Sequence, residues 1–567
     1  KLTAATALPK TTTVALTGTG TLDINNNAVT ISGLSGDTTS VVTNSNTTST
    51  AITIGPDAGV VSTTYSGTIG STNVTFTKSG GGTLTLNGTA GTGAGTWTLS
   101  GGVLKLDYTG ISNSSNIIAS GTGFTLQGGV LGVKGRSGAT VSQTIGTIGL
   151  GANGTQIIME AGGGTSTTLT TGAVTATTNG GAMLITSPST TAVKLGTAIT
   201  AAAPLGRIVF FDGTNYNWAT NNNVSAAATT GAVTYGSNLN TTTVAAATSD
   251  SANSLIAVSG ASQATSSAGA WSTHTLKIDT TTAGATSGTL TLGGAFTLDA
   301  TGGILFTGAN DYTITGGSIV SALGTNSDFV IHAFGAGRLL LNSPLAVSTG
   351  AATFTKAGSG TVVVGSAVSN LYTGATYINA GTLSISANTG LGATVAAVVS
   401  LADGATLQIT GGATISTAHV LTFPGGVATI DVAGASTQLT STAAMTGSGG
   451  INIINSVAST SSVFSQTAAT TALYGPISIG QASGGSVKFL NGIANSLTAG
   501  AGGTVTVNAT GSIDLNNFGL SLGALQGAGN VYNSSASAQT LTIGGNNLST
   551  SYSGVLQSTG TVANLNV

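Results

Sequence analysis

The sequence predicts an all-β protein folded as a right-handed parallel β-helix, or β-solenoid, with irregular loop insertions. Three observations support this prediction. Short apolar strands bounded by glycine recur along the chain with a period typical of solenoid coils. The chain of 567 residues contains 88 glycines, but only 12 basic and 14 acidic residues. Because exposed helices depend on paired charged side chains, so few charges disfavour long helices.

The composition also excludes several classes of protein. Hydrophobic residues make up 40% of the chain and the mean hydropathy is +0.38, which favours a folded chain over a disordered one. Gly, Thr, Ser or Asn interrupts every apolar run before it is long enough to span a bilayer, so we expect no transmembrane helix. A net charge of −2 gives no electrostatic basis for binding nucleic acid. Cysteine is absent, which excludes disulfides and thiol chemistry.

The recurring strand alternates apolar and polar residues. Leu84 and Leu86 would point into the core, while Thr83 and Thr85 would face water. An antiparallel sandwich is the alternative, but its hairpin-linked strands would recur at a much shorter period. About 20 to 25 coils spaced about 4.8 Å apart predict a rod roughly 100 to 120 Å long. The strands that carry the repeat are Gly82–Leu86, Gly102–Leu106, Gly129–Val133, Gly360–Val364, Gly381–Ile385, Ala405–Ile409 and Ala428–Val432.

We expect four parts along the chain. Residues 1–20 form an N-terminal strand segment that serves in assembly or capping, and residues 21–200 and 286–567 form β-solenoid. Residues 201–285 form an irregular insertion or elaborated coils, rich in Thr, Asn and Ala. Trp218 and Trp271 lie in or beside this insertion. Exposed tryptophans can stack on sugar rings, but we favour the interpretation that both seal a local core.

Two segments resemble the autotransporter-associated β-strand repeat, also called the passenger-associated repeat. They are YSGTIGSTNVTFTKSGGGTLTLNG (Tyr65–Gly88) and FTKAGSGTVVVGSAVSNLYTGATYINAGTLSIS (Phe354–Ser386). A partial third copy, YSGVLQ, spans Tyr552–Gln557. The second segment matches the repeat pattern at Thr355, Lys356, Gly358, Gly360, Thr361, Tyr372, Thr373, Gly374, Asn379, Gly381, Thr382 and Leu383.

The resemblance implies a right-handed parallel β-helix that is exported to the bacterial surface. Proteins dominated by such repeats are similar to surface proteins of Planctomycetes and Verrucomicrobia. On this basis we expect a secreted protein, located outside the cell or on its surface.

No group of residues points to catalysis. His274, His332 and His419 each lie alone in the sequence, and we interpret them as structural. Asp299 and Asp311 are the nearest suggestive pair of acids and could approach each other across a coil. Glycoside hydrolysis needs paired carboxylates, and Arg207 or Arg338 could serve as the base of a lyase. With so few acids we expect no enzyme, no catalytic, cofactor-binding or metal-binding residues, and no cofactor.

The favoured function is an extracellular structural protein that assembles head-to-tail into a fibre, sheath or matrix. Solenoid ends expose unpaired strand edges, and a contact that does not close produces a filament. The leading segment KLTAATALPKTTTVALTG (Lys1–Gly18) could add a strand to a neighbouring copy, with Thr561–Val567 as the partner edge. One alternative is a monomeric adhesin or autotransporter-type passenger that displays a binding loop at Arg207–Ser272, with cell-surface glycans as partners. The other is a polysaccharide-processing enzyme that depends on Asp299 or Asp311.

Overall fold

A computed structural model gives the fold of most of the chain. It consists of parallel coils, about 19 in number, and its only helices in the described part are the short 3₁₀ segments Ala5–Ala7 and Asn388–Leu391. The predicted β-solenoid is therefore confirmed. None of the helices described is long and apolar enough to cross a membrane. The structure describes residues 1–55, 61–88, 94–196, 206–220, 231–232, 237–238, 249–258, 264–281, 284–299, 302–321, 327–347, 351–412, 414–468, 472–473, 475–497, 503–558 and 564–567.

The coils form two stacks, each with its own hydrophobic core. The core of the first solenoid runs from Leu22 to Ala219, and the core of the second runs from Ile256 to Leu541. The first solenoid has one sheet of eleven strands, of which nine are parallel and the last two antiparallel. These strands are Thr13–Leu16, Gly33–Gly36, Thr63–Tyr65, Thr83–Leu86, Val103–Asp107, Val130–Lys134, Asn153–Glu160, Gly181–Thr186, Ile208–Phe211, Tyr216–Thr220 and Gly231–Ala232.

Three further sheets complete the walls of the first solenoid. The seven-stranded sheet comprises Val29–Ile31, Thr50–Ile54, Val74–Lys78, Ala94–Leu99, Phe124–Leu126, Ile148–Leu150 and Val174–Ala176. The two three-stranded sheets comprise Thr21–Asp23, Val41–Thr43 and Thr68–Ile69, and Thr140–Thr144, Ser166–Thr170 and Thr191–Lys194.

The second solenoid is built mainly on one sheet of 24 strands. They are Ser237–Asn238, Ser249–Ala257, Ala264–Ser266, Trp271–Thr280, Gly288–Leu298, Ile304–Gly308, Tyr312–Ser321, Ser327–Phe334, Arg338–Asn342, Leu345–Val347, Ala352–Ala357, Thr361–Val364, Thr376–Ile378, Thr382–Ile385, Val398–Leu401, Thr406–Ile409, Val420–Thr422, Val427–Val432, Thr446–Gly447, Gly450–Ile454, Ala472–Leu473, Ile477–Ile479, Thr504–Val507 and Ala524–Gly527. Two smaller sheets contain Thr414–Thr417, Gln438–Ser441, Ser461–Gln466, Ser486–Asn491, Gly511–Asp514, Asn530–Asn533 and Val555–Ser558, and Leu520–Leu522, Gln539–Ile543 and Leu565–Asn566.

Stacked side chains of equivalent positions build both cores. Leu84 pairs in register with Leu104, and Leu104 with Leu131 in the next coil. All three are buried, whereas Thr83 and Thr85 are half-buried on the outer face. The alternation predicted from the sequence is thus the alternation of core and surface.

The two solenoids pack side by side and run in opposite directions. Contacts between them join Asn153 to Ser400 and Gly180 to Asn379, so residue numbers rise along one solenoid while they fall along the other. The expected single rod of about 100 to 120 Å is therefore wrong. The nine parallel strands of the first solenoid span only about 40 Å, and the first and last coils of the chain point towards the same end of the molecule.

The two ends of the chain differ. Residues 1–12 lie against the first coil, where the Leu2 amide donates to the Asp23 carbonyl at 2.8 Å. Leu2 and Leu8 pack partly buried against the first core. In the last coils of the second solenoid the apolar side chains of Ile543, Leu548, Val555, Leu556 and Val567 are exposed.

Part of the segment 201–285, which we expect to form an irregular insertion or elaborated coils, forms regular strands where it is described. Ile208–Phe211 forms the last parallel strand of the first solenoid. Ser249–Ala257 and Trp271–Thr280 pair in parallel in the second solenoid. Much of the remainder lies outside the described residues, so the expected boundaries of this segment stay a prediction.

Candidate functional site: the seam between the solenoids

A close contact between the solenoids is made by the backbone of Gly180. Its amide donates to Asp328 Oδ2 at 3.0 Å, and its carbonyl accepts from Asn379 Nδ2 at 2.7 Å. Gly180 has a positive φ of 86°, and a Cβ atom here would lie 2.6 Å from the ring of Tyr377. Only glycine therefore allows the second solenoid to approach this closely.

Glycines also lie on the seam in the neighbouring coils of the first solenoid, although not at equivalent register positions, since Gly154 pairs with Ala182. Gly154, Gly180 and Gly206 are evenly spaced in the sequence. A Cβ atom on Gly154 would lie 2.8 Å from Asn379 Cβ, and one on Gly206 would overlap the Gly302 backbone. The first solenoid thus presents a smooth backbone surface to the second.

A buried ion pair joins the solenoids beside these glycines. Arg207 Nη1 lies 2.8 Å from Asp328 Oδ2, and the Asp328 side chain is only 1% exposed. Asp328 Oδ1 also accepts from the hydroxyls of Thr353 and Thr355, both at 2.9 Å. Arg207 donates to the Gly181 carbonyl at 2.9 Å. A buried pair with so many hydrogen bonds fixes the register of the two solenoids.

Aromatic side chains close one end of the seam. The antiparallel strands Ile208–Phe211 and Tyr216–Thr220 reverse the chain, and their turn places Tyr216 between Phe211 and Phe334. The ring centroids are 4.3 Å and 4.0 Å apart, in two nearly parallel stacks. Trp218 packs edge-on against His332, with ring centroids 5.5 Å apart.

A cleft of about 500 Å³ begins at these aromatic side chains and runs along the seam. Its walls come from the coil corners of both solenoids. The residues that line it are Gly81, Ser100–Val103, Gly128–Val130, Asn153–Gln156, Ala182–Leu184, Thr186, Phe211 and Tyr216 from the first solenoid, and His332, Phe334, Ala357–Ser359, Asn379–Ala380, Ala402–Asp403 and Pro424–Gly425 from the second.

Two buried polar atoms in the walls of the cleft have no hydrogen-bond partner. They are His332 Nε2 and Asn379 Oδ1. Burial lowers the pKa of His332 to about 3, although a hydrogen bond to the Gly206 backbone acts in the opposite direction. The imidazole is therefore neutral, with its bonded nitrogen at the Gly206 backbone and Nε2 as an unpaired acceptor.

Two lysines are buried at coil corners next to the cleft. Lys356 is fully buried, and its ammonium group donates to the carbonyls of Gly358, Gly360 and, in the next coil, Ala380. Burial lowers the pKa of Lys356 to about 7. The lysine thus ties the corner of one coil to the corner of the next.

Lys78 occupies the corresponding corner of the first solenoid. Its ammonium group donates to the carbonyls of Ser79 and Gly80, and burial lowers its pKa to about 8. In the next coil a Cβ atom on Gly102 would lie 2.7 Å from this ammonium group, just as one on Gly381 would lie 2.5 Å from that of Lys356. The Thr-Lys-x-Gly-x-Gly-Thr pattern therefore encodes a lysine-bonded corner, and the sequence alone did not reveal that these lysines are buried.

The structure separates the two suggested acids. Asp299 Oδ2 lies 3.2 Å from His274 Nδ1, so His274, isolated in the sequence, has an acid partner one coil away. Asp311 forms an ion pair with Arg338. Asp299 and Asp311 lie at opposite ends of the paired strands Gly288–Leu298 and Tyr312–Ser321. They do not approach each other, which removes the pair suggested for hydrolysis.

The other suggested residues are structural in the described chain. His419 is buried, with Nδ1 at 3.1 Å from the Ala397 carbonyl. Trp218 and Trp271 are buried, and Trp271 stacks on Phe296 with centroids 4.4 Å apart. Neither tryptophan presents a free face to a sugar. Among the described residues no group of three or more histidine or acidic side chains could hold a metal ion. The absence of enzymatic activity stays a prediction.

The fold and seam define a protein made of two antiparallel solenoid arms with lysine-bonded corners. A comparison with known protein families shows which sequence repeat contains these corners. Residues 76–106 and 354–385 match the passenger-associated-transport-repeat, which supports the resemblance found in the sequence. One match lies in each arm, and both contribute walls to the cleft. No curated protein and no solved structure matches the chain.

Proposed function

We propose that the chain is an extracellular structural β-solenoid of the bacterial surface, of the autotransporter-passenger type. One observation carries this proposal: a passenger-associated-transport-repeat forms the corresponding lysine-bonded corner in each arm. The repeat suggests export to the surface. A fold built from stacked hydrogen-bonded coils suits a protein that serves as rigid extracellular material.

Export can be tested by displaying the chain on bacterial cells between a signal peptide and an outer-membrane anchor. We expect the wild-type arms to be cleaved by protease added to intact cells. The variant Lys78→Met/Lys356→Met should lose display, because both arms lose a corner. Lys194→Met, which changes a half-buried lysine on the strand Thr191–Lys194, is the matched control. A wild-type chain that never reaches the surface would contradict the proposal.

The second part of the proposal is self-association through the last coils of the second solenoid, which we call its open end. Five large apolar side chains are exposed there, among them Leu548 at 55% and Val555 at 51%. The corresponding end of the first solenoid is covered by residues 1–12. Contact between two open ends closes into a two-fold dimer. If residues 1–12 leave the first coil, the open end can also stack on the first coil of another copy. Because the first and last coils face the same end of the molecule, the two copies then face each other, and a fibre forms only if each arm contacts a different neighbour.

Sedimentation velocity over a concentration series, with negative-stain images, tests the association and its form. We expect dimers or fibres of the wild-type chain and monomers of Leu548→Lys/Val555→Lys. Val395→Lys changes an equally exposed apolar side chain elsewhere (56%) and should leave the association intact. A wild-type chain that stays monomeric at every concentration would remove this part of the proposal and leave surface export to its own test.

A further inference from the structure

We propose that the open end of the second arm binds a segment of the passenger-associated-transport-repeat type, supplied by a partner polypeptide that carries this repeat unfolded. The inference rests on the proposed function in using the same open end, and it gives that end a partner of stated sequence. It is carried by a structural unit that occurs in both arms and is covered by such a repeat in the first.

The first coils of the first arm and the last coils of the second arm repeat one sequence pattern. Three matches occur in the same order and at nearly the same spacing. They are LDINN (Leu22–Asn26) with IDLNN (Ile513–Asn517), AITIG (Ala51–Gly55) with TLTIG (Thr540–Gly544), and YSG (Tyr65–Gly67) with YSG (Tyr552–Gly554).

The matched residues also make the same hydrogen bonds. Asp23 Oδ1 accepts from the Ser45 amide in the next coil at 3.0 Å. Asp514 Oδ1 accepts from the Ser534 amide at the same distance. The asparagines that follow agree too, since the bonds from Asn44 Nδ2 to the Thr48 carbonyl and from Asn533 Nδ2 to the Ser537 carbonyl are both 2.8 Å long. The two stretches therefore form the same pair of coils, and the cover of one indicates what fits the other.

In the first arm, this pair of coils is covered by the first passenger-associated-transport-repeat. Ile54 pairs in register with Lys78, and Tyr65 pairs with Leu86. Ile54 and Tyr65 are each only 2% exposed. A Cβ atom on Gly55 would lie 3.4 Å from Lys78 Nζ, so the lysine-bonded corner closes over the end of the strand.

The equivalent surface of the second arm is uncovered in the described chain. Ile543, the counterpart of Ile54, is 38% exposed, and Tyr552 is half-buried. A Cβ atom on Gly544 would meet no atom within 4 Å. On this side of the strand Gln539–Ile543, the described residues pair only with Gln539 and Thr540. An unpaired strand edge beside exposed apolar side chains is a surface to which an extended segment can add as a strand.

A folded second copy cannot supply this segment from its own repeats. Leu84 and Leu86 of the first repeat, and Val362 and Leu383 of the second, are buried in the cores of their arms. The occupant is therefore a repeat segment that folds when it binds, with its lysine turn over Gly544 and its leucines against Tyr552.

Fluorescence anisotropy of a labelled peptide of residues 77–106, titrated with the whole chain, tests the proposal. We expect saturable binding by the wild type. Ile543→Lys places a charge where the counterpart Ile54 is buried, and should weaken binding about tenfold or more. Val457→Lys is the matched control, because Val457 is a similarly exposed apolar residue of the second arm (42%). It should bind like the wild type.

A second pair of variants lies on the peptide and does not depend on how the chain folds. Leu84→Ser/Leu86→Ser removes the side chains that face the core and should abolish binding. Thr83→Ser/Thr85→Ser changes the outer face of the same strand and should retain it. Hydrogen exchange of residues 539–558 should slow when the wild-type chain binds the peptide.

The proposal is wrong if the wild-type chain shows no binding at about 0.1 mM. It is also wrong if the wild type and Ile543→Lys bind equally, because the site then lies elsewhere. Self-association is measured separately, by sedimentation of the chain without peptide, so failure of one proposal can be told from failure of the other.

Discussion

Replacing Lys356 with methionine tests whether the buried lysine holds the coil corner. The ammonium group donates to three backbone carbonyls, at Gly358, Gly360 and Ala380. Methionine fills a similar volume but donates nothing. The Gly360 carbonyl keeps the Thr382 amide as a donor at 3.1 Å. Each buried carbonyl left without a donor costs about 1 to 3 kcal/mol, partly offset because a buried charge is removed. We expect a net local loss of about 3 kcal/mol.

The loss should stay close to the corner, because each coil of a solenoid contacts only its neighbours. Hydrogen exchange followed by mass spectrometry measures it directly. A local loss of about 3 kcal/mol makes amides of residues 354–385 exchange roughly 100-fold faster, while peptides of the first arm remain unchanged. Lys194→Met should change no peptide by more than a small factor. If Lys356→Met alters exchange at residues 354–385 less than twofold, the lysine does not hold the corner.

Three further predictions concern the pKa of Lys356, the close contact at Gly180 and the buried ion pair of Asp328. Because burial lowers the pKa of Lys356 to about 7, against about 10.4 in an unfolded chain, the unfolded state binds more protons between these values. The free energy of unfolding should therefore rise with pH from about 7 to about 10.4, and denaturant titrations of Lys356→Met should lose that part of the slope. Gly180→Ala should separate the arms and increase the radius of gyration measured by X-ray scattering. Gly110→Ala, with a similar positive φ of 82° but no neighbour within 4 Å, should not. Asp328→Asn should lower stability by about 3 to 5 kcal/mol in thermal unfolding, because the pair is buried. Asp311→Asn, in an exposed pair, should cost about 1 kcal/mol or less, and equal losses would contradict this reasoning.

The coils could be predicted from the sequence because each one is a local pattern. Leu84, Leu104 and Leu131 occupy equivalent positions at the start of successive strands, and alternation alone identifies which residues face the core. The division into two arms has no such local signal. It depends on pairs such as Arg207 with Asp328, which are 121 residues apart, and composition does not specify such pairs.

The glycines of the seam do not identify it from the sequence either. Gly154, Gly180 and Gly206 are evenly spaced in the sequence, but they occupy different register positions, because Gly154 pairs with Ala182 and Met183 pairs with Ile208. The lysine of the Thr-Lys-x-Gly-x-Gly-Thr pattern contributes to the family resemblance, but its position also carries physical information. In both copies the lysine ends a strand and is followed by two closely spaced glycines, and the structure shows its ammonium group bound by carbonyls of that turn.

The antiparallel arms change what the protein could do at a surface. In a single rod the two ends would lie about 100 Å apart, and an anchor at one end would carry the other far from the cell. With the arms side by side, the first and last coils face the same way. The solenoid body is then only as long as one arm, about 40 to 60 Å. The seam then lies along the flank of the particle, where both passenger-associated-transport-repeats contribute to the cleft. A variant that opens either lysine-bonded corner would therefore change the seam between the arms as well as the arm that carries the corner.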